Sequence, residues 1–147
     1  MVSGDIITRE ARENDVDAIL ALLEEWLPDE ALTVKRAEVV RAAISDERHV
    51  LLVAEVDGEV VGFLLLVIIY DLLEGALVGY IQDLYVRADS RSRGLGTALL
   101  ERAVEEARAR GAVELHVSVH PDNRTAIRFY ERRGFTSRHL LLEQVLR

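Results

Sequence analysis

The sequence has 147 residues, half of them hydrophobic, and a formal net charge of −8 at pH 7. A chain of this length is the size of one compact α/β or α+β domain with a proper core, so we expect no second domain. The net negative charge argues against a nucleic-acid backbone or an anionic membrane as the main partner. An acidic surface favours cationic substrates, although ordinary solvated faces give the same total charge.

Cysteine is absent from the sequence. This absence excludes disulfides, thiolate metal sites and an acyl-cysteine intermediate, so any acyl transfer needs another route. The first ten residues lack a basic start followed by an apolar stretch, so we expect no secretory signal and a cytoplasmic protein. The most apolar run, 60–70, is about half as long as a membrane-spanning helix, and Gly62 interrupts it. This run is predicted to be a buried strand.

The first half of the chain predicts two helices followed by a β-hairpin. Apolar residues at helical spacing indicate one helix that Pro28 ends and a second helix that follows it. Asp57-Gly58 is typical of a tight hairpin turn, because these residue types readily supply positive φ angles. The elements predicted in this half are a strand at 6–9, helices at 16–27 and 33–44, and strands at 50–56 and 59–70.

The second half predicts a strand, a long helix and a returning strand. The strand at 77–86 precedes an alanine-rich helix at 97–110, and the strand at 113–119 would then return as a right-handed βαβ unit. A short helix at 123–133 and a last strand at 140–146 complete the prediction. Because there is no repeat, linker or low-complexity tract, residues 1–147 are expected to form a single domain of the α/β (α+β) class, with about six strands and four helices.

A glycine-containing loop lies between the strand at 77–86 and the helix at 97–110. Glycines allow the backbone to approach an anion closely, and a helix N-terminus offers unpaired N–H groups and the positive end of the helix dipole. Such a loop suits a pyrophosphate, although two glycines before a helix also occur in an ordinary tight turn. No Gly-Lys-Ser/Thr follows, and Leu99 stands where a third glycine would complete GxGxxG, so ATP and NAD are disfavoured. The loop residues are Arg91, Ser92, Arg93, Gly94, Leu95, Gly96 and Thr97.

Two motifs resemble those of the GCN5-related N-acetyltransferase (GNAT) family. The loop R-S-R-G-L-G is similar to the family motif Q/R-x-x-G-x-G/A, which holds the coenzyme A pyrophosphate. The stretch from Asn123 to Phe135 is similar to N-x-x-A-x-x-x-Y-x-x-x-G-F in every fixed position. The resemblance extends over 50–135. It implies a mixed, mostly antiparallel central sheet and an acetyl-CoA donor.

The resemblance also implies roles for particular residues. In the stretch Leu84-Tyr85-Val86, the backbones of the first and third residues would bond the thioester and the pantetheine arm. Asn123 would bond the coenzyme arm. The hydroxyl of Tyr130 would lie near the sulfur and act as the catalytic acid, since a phenol within reach can stabilise or protonate a departing thiolate. Without the family, Tyr130 and its apolar neighbours also fit the core of a short helix.

The general base is not identified by the sequence. The amine must reach the thioester without its proton, and related enzymes often carry a glutamate on the strand before the loop. The same-face positions here hold Tyr80 and Gln82, and strict alternation predicts that Asp83 lies on the opposite face as a structural anchor. Other carboxylates considered for the acceptor side are Glu24, Glu25, Asp71 and Glu74. His120 is either a proton relay or a plain surface histidine, and no spacing predicts a metal site.

The sequence therefore predicts an acetyl-CoA-dependent N-acetyltransferase that acts on a primary amine of a small molecule or protein, by direct attack in a ternary complex. A coenzyme A-binding regulatory module without turnover is the alternative. A nucleic-acid partner is disfavoured because Asp122 and Glu131 dilute the arginines at 124, 128, 132 and 133. The short segment after Phe135 and the apolar residues 140–142 suggest a homodimer as a hypothesis.

Overall fold

A computed structural model of the chain describes residues 4–147. The chain divides after His116 into two compact units, and the second is Val117–Arg147. Within residues 4–147, five strands form one mixed sheet in the order β1-β2-β3-β4-β5. The pairs β1–β2, β2–β3 and β3–β4 are antiparallel. The strands are β1 (Ile6–Glu10), β2 (His49–Val56), β3 (Glu59–Asp71), β4 (Ala76–Val86) and β5 (Ala112–Val117).

The described part of the chain also contains four α-helices. Together they confirm the predicted α+β class, and five strands are close to the expected number of about six. The helices are α1 (Val16–Trp26), α2 (Thr33–Ser45), α3 (Leu95–Ala109) and, in the second unit, α4 (Arg124–Glu131). Short 3₁₀ turns lie at Glu13–Asp15, Glu30–Leu32 and Ala88–Ser90.

The hairpin between β2 and β3 turns at the predicted dipeptide. Asp57 has φ 53° and Gly58 has φ 79°, the pair of positive angles that the right-handed twist of two antiparallel strands favours. The prediction of this hairpin from Asp-Gly is therefore confirmed.

The two faces of the sheet in the first unit are covered by different helices. On one face, Phe63 and Tyr85 pack with the α1 residues Val16, Ile19 and Leu22 in one buried cluster. The opposite face lies against α3. There, a Cβ added at Gly62 would be 3.4 Å from the Leu99 side chain, and one added at Gly79 would be 3.3 Å from Ala107. Burial on both faces accounts for the nearly continuous apolar run of β3.

The predicted strand at 140–146 is not formed among the described residues. Its apolar side chains are between 62% and 91% exposed. A strand needs a neighbouring strand for its N–H and C=O groups, and the second unit contains no strand apart from the last residue of β5. The run of leucines resembles a strand in composition, but composition does not supply a pairing partner.

A partly buried ion-pair network fixes the start of α1 on β1. Arg9 donates from Nη1 to Asp15 Oδ2 at 2.7 Å and from Nη2 to Asp15 Oδ1 at 2.9 Å. It also donates from Nε to Glu55 Oε2 at 3.1 Å, and the Arg12 backbone N–H donates to Asp15 Oδ2 at 2.7 Å. The Arg9 hydrogen bonds are the main reason that the pKa of Asp15 is lowered. The carboxylate therefore stays ionised although it is only 5% exposed.

Substituting Asp15→Ala is expected to lower the free energy of unfolding at pH 7 by about 3 kcal/mol, because Arg9 would keep a partly buried charge without its main partner. The depressed pKa makes this contribution present above the unfolded-state pKa and lost as pH falls through the folded-state pKa. Urea denaturation at pH 7 and in acid should show the difference from wild type shrinking in acid. Glu13→Gln, which removes the exposed pair with Arg41, is the control and should change stability much less. An equal loss in both variants would contradict the prediction.

Candidate active site

The glycine loop leads directly into the N-terminus of α3. Gly94 precedes the helix with φ 85°, a left-handed conformation that favours glycine. The first helical hydrogen bond runs from the Ala98 N–H to the Gly94 carbonyl at 2.9 Å. Helix geometry therefore provides no intrahelical acceptor for the N–H groups of Leu95 and Gly96. The helix begins two residues before the predicted start at Thr97, so Gly96 lies in its first turn.

Arg91 is tied to the end of β4. Its Nε donates to the Val86 carbonyl at 2.9 Å, and its guanidinium carbon lies 5.2 Å from the centre of the Tyr85 ring. Arg93 follows as a second exposed cation on the same loop. The residues predicted to bind the coenzyme between Leu84 and Thr97 thus belong to one continuous strand–loop–helix segment, whose glycine loop carries the two arginines Arg91 and Arg93 before a helix N-terminus.

A β-bulge at Gln82 changes which face of β4 carries Asp83. Leu66 pairs with Ile81, whereas the adjacent Leu65 pairs with Asp83, so Gln82 is an extra residue in β4. Directly paired residues share a face, and Leu65 packs against the cluster under α1. Asp83 therefore lies on the α1 face, together with Tyr80 and Tyr85. The prediction from strict alternation, that Asp83 lies on the opposite face, is wrong because it did not include the bulge.

Asp83 is a partly buried carboxyl on this face. Burial raises its pKa above the ordinary value for an aspartic acid. A carboxylate whose pKa is raised toward neutrality is a better proton acceptor than an ordinary surface aspartate. The arrangement suits a general base, and the sequence did not identify it because the bulge has no clear sequence signal.

The end of α1 contacts the end of β4 through aromatic and acidic side chains. The Trp26 ring stacks on Tyr85 with centroids 5.0 Å apart and an interplanar angle of 14°. The Glu25 carboxylate accepts hydrogen bonds from the Tyr85 hydroxyl and, at 3.1 Å, from the Ala88 N–H. Glu25, one of the carboxylates considered for the acceptor side, thus contacts the segment that enters the glycine loop.

In the second unit, Asn123 caps α4. Its side-chain Oδ1 accepts from the Ala126 N–H at 3.1 Å. This bond uses the carbonyl side of the amide and leaves its two N–H donors for another partner. A capping role and the predicted bond to a coenzyme arm are therefore compatible.

Tyr130, also in the second unit, is held between two phenylalanines. Its ring lies edge-on to Phe129 and Phe135, at centroid distances of 5.1 Å and 5.4 Å. The side chain is 7% exposed, and burial raises the pKa of its hydroxyl to about 12. The phenol therefore keeps its proton throughout the neutral range, as a hydrogen-bond donor must.

The other polar residues considered from the sequence have local roles. Glu24 accepts from the Asp29 N–H at 3.2 Å and pairs with Arg36, and Asp71 accepts from the Glu74 N–H at 3.1 Å in the turn after β3. The exposed His120 accepts from the Asp122 N–H at 3.2 Å. Across residues 4–147, no three His, Asp or Glu side chains are grouped to hold a metal ion. Within the same residues, every helix is too short or too polar to cross a bilayer.

Comparison with known proteins identifies the family. The family model described as Acetyltransferase (GNAT) family matches residues 16–135. The chain belongs to the GNAT family. The predicted resemblance is thereby confirmed, and this GNAT protein is an N-acetyltransferase of a family that uses acetyl-CoA as the donor.

Individual GNAT relatives support the same assignment. The chain is 33% identical to the aminoalkylphosphonate N-acetyltransferase of Salmonella typhimurium, over 94% of this chain and 90% of that protein. It is 32% identical to the thialysine N-epsilon-acetyltransferase of Bos taurus, over 88% of this chain and 83% of that protein. A solved structure of a transcriptional regulator from Bacillus halodurans C-125 superimposes with a TM-score of 0.88 at 25% identity, covering 97% and 100% of the two chains.

Proposed function

We propose that this GNAT protein transfers an acetyl group from acetyl-CoA to a primary amine by direct attack in a ternary complex, and that residues 1–147 act as one catalytic domain. The observation that carries the proposal is the strand–loop–helix segment, in which Gly94 adopts a left-handed conformation directly before the N-terminus of α3 and the preceding loop carries the exposed cations Arg91 and Arg93. The family match over 16–135 supports the proposed extent of the domain, since it includes both motifs.

The donor side of the proposed site consists of the strand end, the loop and two residues of the second motif. The loop and the first turn of α3 would hold the pyrophosphate, because N–H groups and arginines are suited to phosphate. The β4 end would bond the pantetheine arm and the thioester through its backbone. The proposed coenzyme-binding residues are Leu84, Tyr85, Val86, Arg91, Ser92, Arg93, Gly94, Leu95, Gly96, Thr97, Asn123 and Tyr130.

In the proposed reaction, the amine lone pair attacks the thioester carbonyl carbon and forms the new C–N bond. The C–S bond then breaks, and coenzyme A leaves with its electron pair as a thiolate. The amine arrives already neutral, and Asp83 is the proposed acceptor of the proton that the attacking nitrogen loses, directly or through one water. Tyr130 is the proposed acid, which donates a hydrogen bond or its proton to the sulfur. The raised pKa of Asp83 supports its role as proton acceptor, and the raised pKa of Tyr130 supports a phenol that stays protonated and donates a hydrogen bond to the sulfur.

The proposed acceptor is a small molecule with a primary amine. The names of the Salmonella and bovine relatives, an aminoalkylphosphonate and a thialysine N-epsilon-acetyltransferase, support this class. A protein amine is the other acceptor to test. A nucleic acid or a membrane is not proposed as a partner.

The test begins with calorimetric titration of acetyl-CoA into the purified protein, followed by a panel of amines with free thiol release as the readout. The panel should contain aminoalkylphosphonates, lysine analogues, polyamines and a peptide amine. Amine-dependent thiol release would support the proposed transferase. Binding without release from any amine would favour a coenzyme A-binding regulatory module, and no binding would contradict both.

Substituting Gly94→Ala is expected to raise the dissociation constant for acetyl-CoA about tenfold. A Cβ at φ 85° is strained by about 1–2 kcal/mol, and relaxing this strain would move the N–H groups that follow. Gly58→Ala is the matched control, since Gly58 has φ 79° and, like Gly94, enough space for a Cβ. Both variants should unfold at similarly lower temperatures, but only Gly94→Ala should bind the coenzyme more weakly. Equal weakening in both variants would contradict a role of this loop in binding.

The homodimer is also a proposal. Its support is the exposed apolar run Leu140, Leu141 and Leu142, which is 62% to 89% exposed in the second unit. Sedimentation at micromolar concentration should give twice the chain mass, and substituting Leu140 and Leu142 with serine should restore the monomer mass. A monomeric wild-type protein would contradict the proposal. The cytoplasmic location stays a prediction.

A further inference from the structure

Glu25 joins the last turn of α1 to the end of β4. A single oxygen, Oε2, accepts from the Tyr85 hydroxyl and from the Ala88 backbone N–H at 3.1 Å. Tyr85 is the penultimate residue of β4, and Ala88 opens the 3₁₀ turn that leads to the glycine loop. One carboxylate thus fixes two points on the chain just before the loop.

The Tyr85 ring, whose hydroxyl Glu25 holds, also contacts Arg91. The ring is stacked on Trp26 at 5.0 Å, and the Arg91 guanidinium carbon lies 5.2 Å from the ring centre. Arg91 Nε donates at 2.9 Å to the carbonyl of Val86, the neighbour of Tyr85. A phenol held at its hydroxyl and stacked on one side is a fixed surface, so it restricts where the guanidinium can lie.

We infer that Glu25 is a positioning residue for the anion-binding loop, acting through Tyr85 and the Ala88 N–H on Arg91 and on the entry to α3. The inference rests on the proposed function, since the anion is the pyrophosphate of acetyl-CoA. It makes the end of α1, which carries no loop residue, a determinant of coenzyme affinity. Glu25 touches neither the coenzyme nor the reacting atoms in this role.

The sign of the effect separates positioning from simple electrostatics. Glu25 is ionised, because the hydrogen bond from Tyr85 lowers the pKa of its carboxyl. Removing a negative charge near Arg91 would by itself strengthen the binding of an anion. Loss of a positioning contact weakens binding instead, because the loop and Arg91 must then be ordered when the coenzyme arrives.

The experiment compares Glu25→Ala and Glu25→Gln with wild type, using two donors. Acetyl-CoA carries the pyrophosphate, and S-acetylpantetheine has the same thioester without it. Glu25→Ala is expected to raise the dissociation constant of acetyl-CoA about tenfold, while kcat and the KM of S-acetylpantetheine stay within about twofold. Glu25→Gln should give a smaller loss, since its amide oxygen still accepts one hydrogen bond. Tyr85→Phe should reproduce part of the loss.

The matched control is Glu24→Ala, because Glu24 is on the same turn of α1 but contacts Arg36 and the Asp29 N–H instead of the loop. This variant should bind acetyl-CoA as wild type does. Tighter binding by Glu25→Gln, unchanged binding, or equal loss with both donors would each overturn the inference while wild-type acetyl-CoA binding stands. If Glu25→Ala does not fold, the glutamine variant alone decides. Failure of wild type to bind acetyl-CoA would instead overturn the proposed function.

Discussion

Asp83→Asn is expected to lower kcat/KM for the amine about 100-fold and at the same time to raise the thermal stability of the protein. Asparagine has the same shape as aspartate but accepts no proton at neutral pH, so base catalysis is lost. Stability rises because a partly buried carboxylate no longer has to ionise in the folded state. Initial rates of thiol release and the midpoint of thermal unfolding, higher by about 3 °C, measure the two effects.

The sign of the pH dependence follows from the raised pKa of Asp83. The unfolded chain releases this proton at a lower pH than the folded chain, so stability falls as pH rises through the folded-state pKa. Activity rises over the same interval because the carboxylate becomes available. Since the amine must also be neutral, log kcat/KM should rise with a slope of about two at low pH in wild type and about one in Asp83→Asn.

The control for this prediction is Asp71→Asn, which changes a partly exposed carboxylate that accepts a hydrogen bond from the Glu74 N–H, as the amide oxygen of asparagine can also do. This variant should keep wild-type activity and stability. An Asp83→Asn variant with wild-type rates and an unchanged slope would show that another group takes the proton. A variant that loses both stability and activity would assign Asp83 to the structural anchor predicted from the sequence.

Tyr130→Phe is expected to lower kcat about 100- to 1,000-fold, with little change in the dissociation constant of acetyl-CoA. Removing one hydrogen-bond donor to a developing anion has effects of this size in other enzymes. The buried phenyl ring and its contacts with Phe129 and Phe135 remain, so folding should be preserved. Steady-state rates and calorimetry with acetyl-CoA measure turnover and affinity separately.

The pKa of about 12 for Tyr130 also predicts how kcat depends on pH. The phenol stays protonated up to about pH 11, so wild-type kcat should show no decline from this group below that pH. Tyr70→Phe is the control, because the Tyr70 side chain is 66% exposed and its ring packs against Arg48. Equal losses of affinity and turnover in Tyr130→Phe would assign the hydroxyl to coenzyme binding instead of acid catalysis.

Most helices, strands and turns were predictable because they depend on residues that are neighbours in the sequence. The Asp57-Gly58 turn has the positive φ angles that these residue types allow, and Pro28 follows α1 within two residues of its end. The strand expected at 140–146 failed because strand formation depends on a pairing partner elsewhere, which the leucines themselves do not specify. The helix α3 begins at Leu95, two residues before the predicted start at Thr97. Glycine is typical of loops, but here Gly96 lies in the first helical turn.

The position of the candidate site was predictable where a motif is contiguous and not where it depends on register. The donor-side residues from Leu84 to Thr97 are adjacent in sequence, so their proximity required no tertiary information. The contact of Glu25 with Tyr85 joins residues that are 60 positions apart and depends on how α1 lies against the sheet. The face of Asp83 depends on one extra residue in β4, which no composition or alternation pattern marks.

The bulge at Gln82 has a consequence for aligning and engineering this strand. Every side chain of β4 after position 82 has its face set by one inserted residue, so aligning a strand that lacks this bulge with β4 and placing no gap exchanges the two faces from Asp83 to Val86. An alignment without a gap can therefore match identical letters that face different helices. Pairing Gln82 with Leu65 in a regular ladder would move Asp83 to the α3 face with its chemistry unchanged, so the carboxylate's function depends on the register of β4 as much as on its residue type.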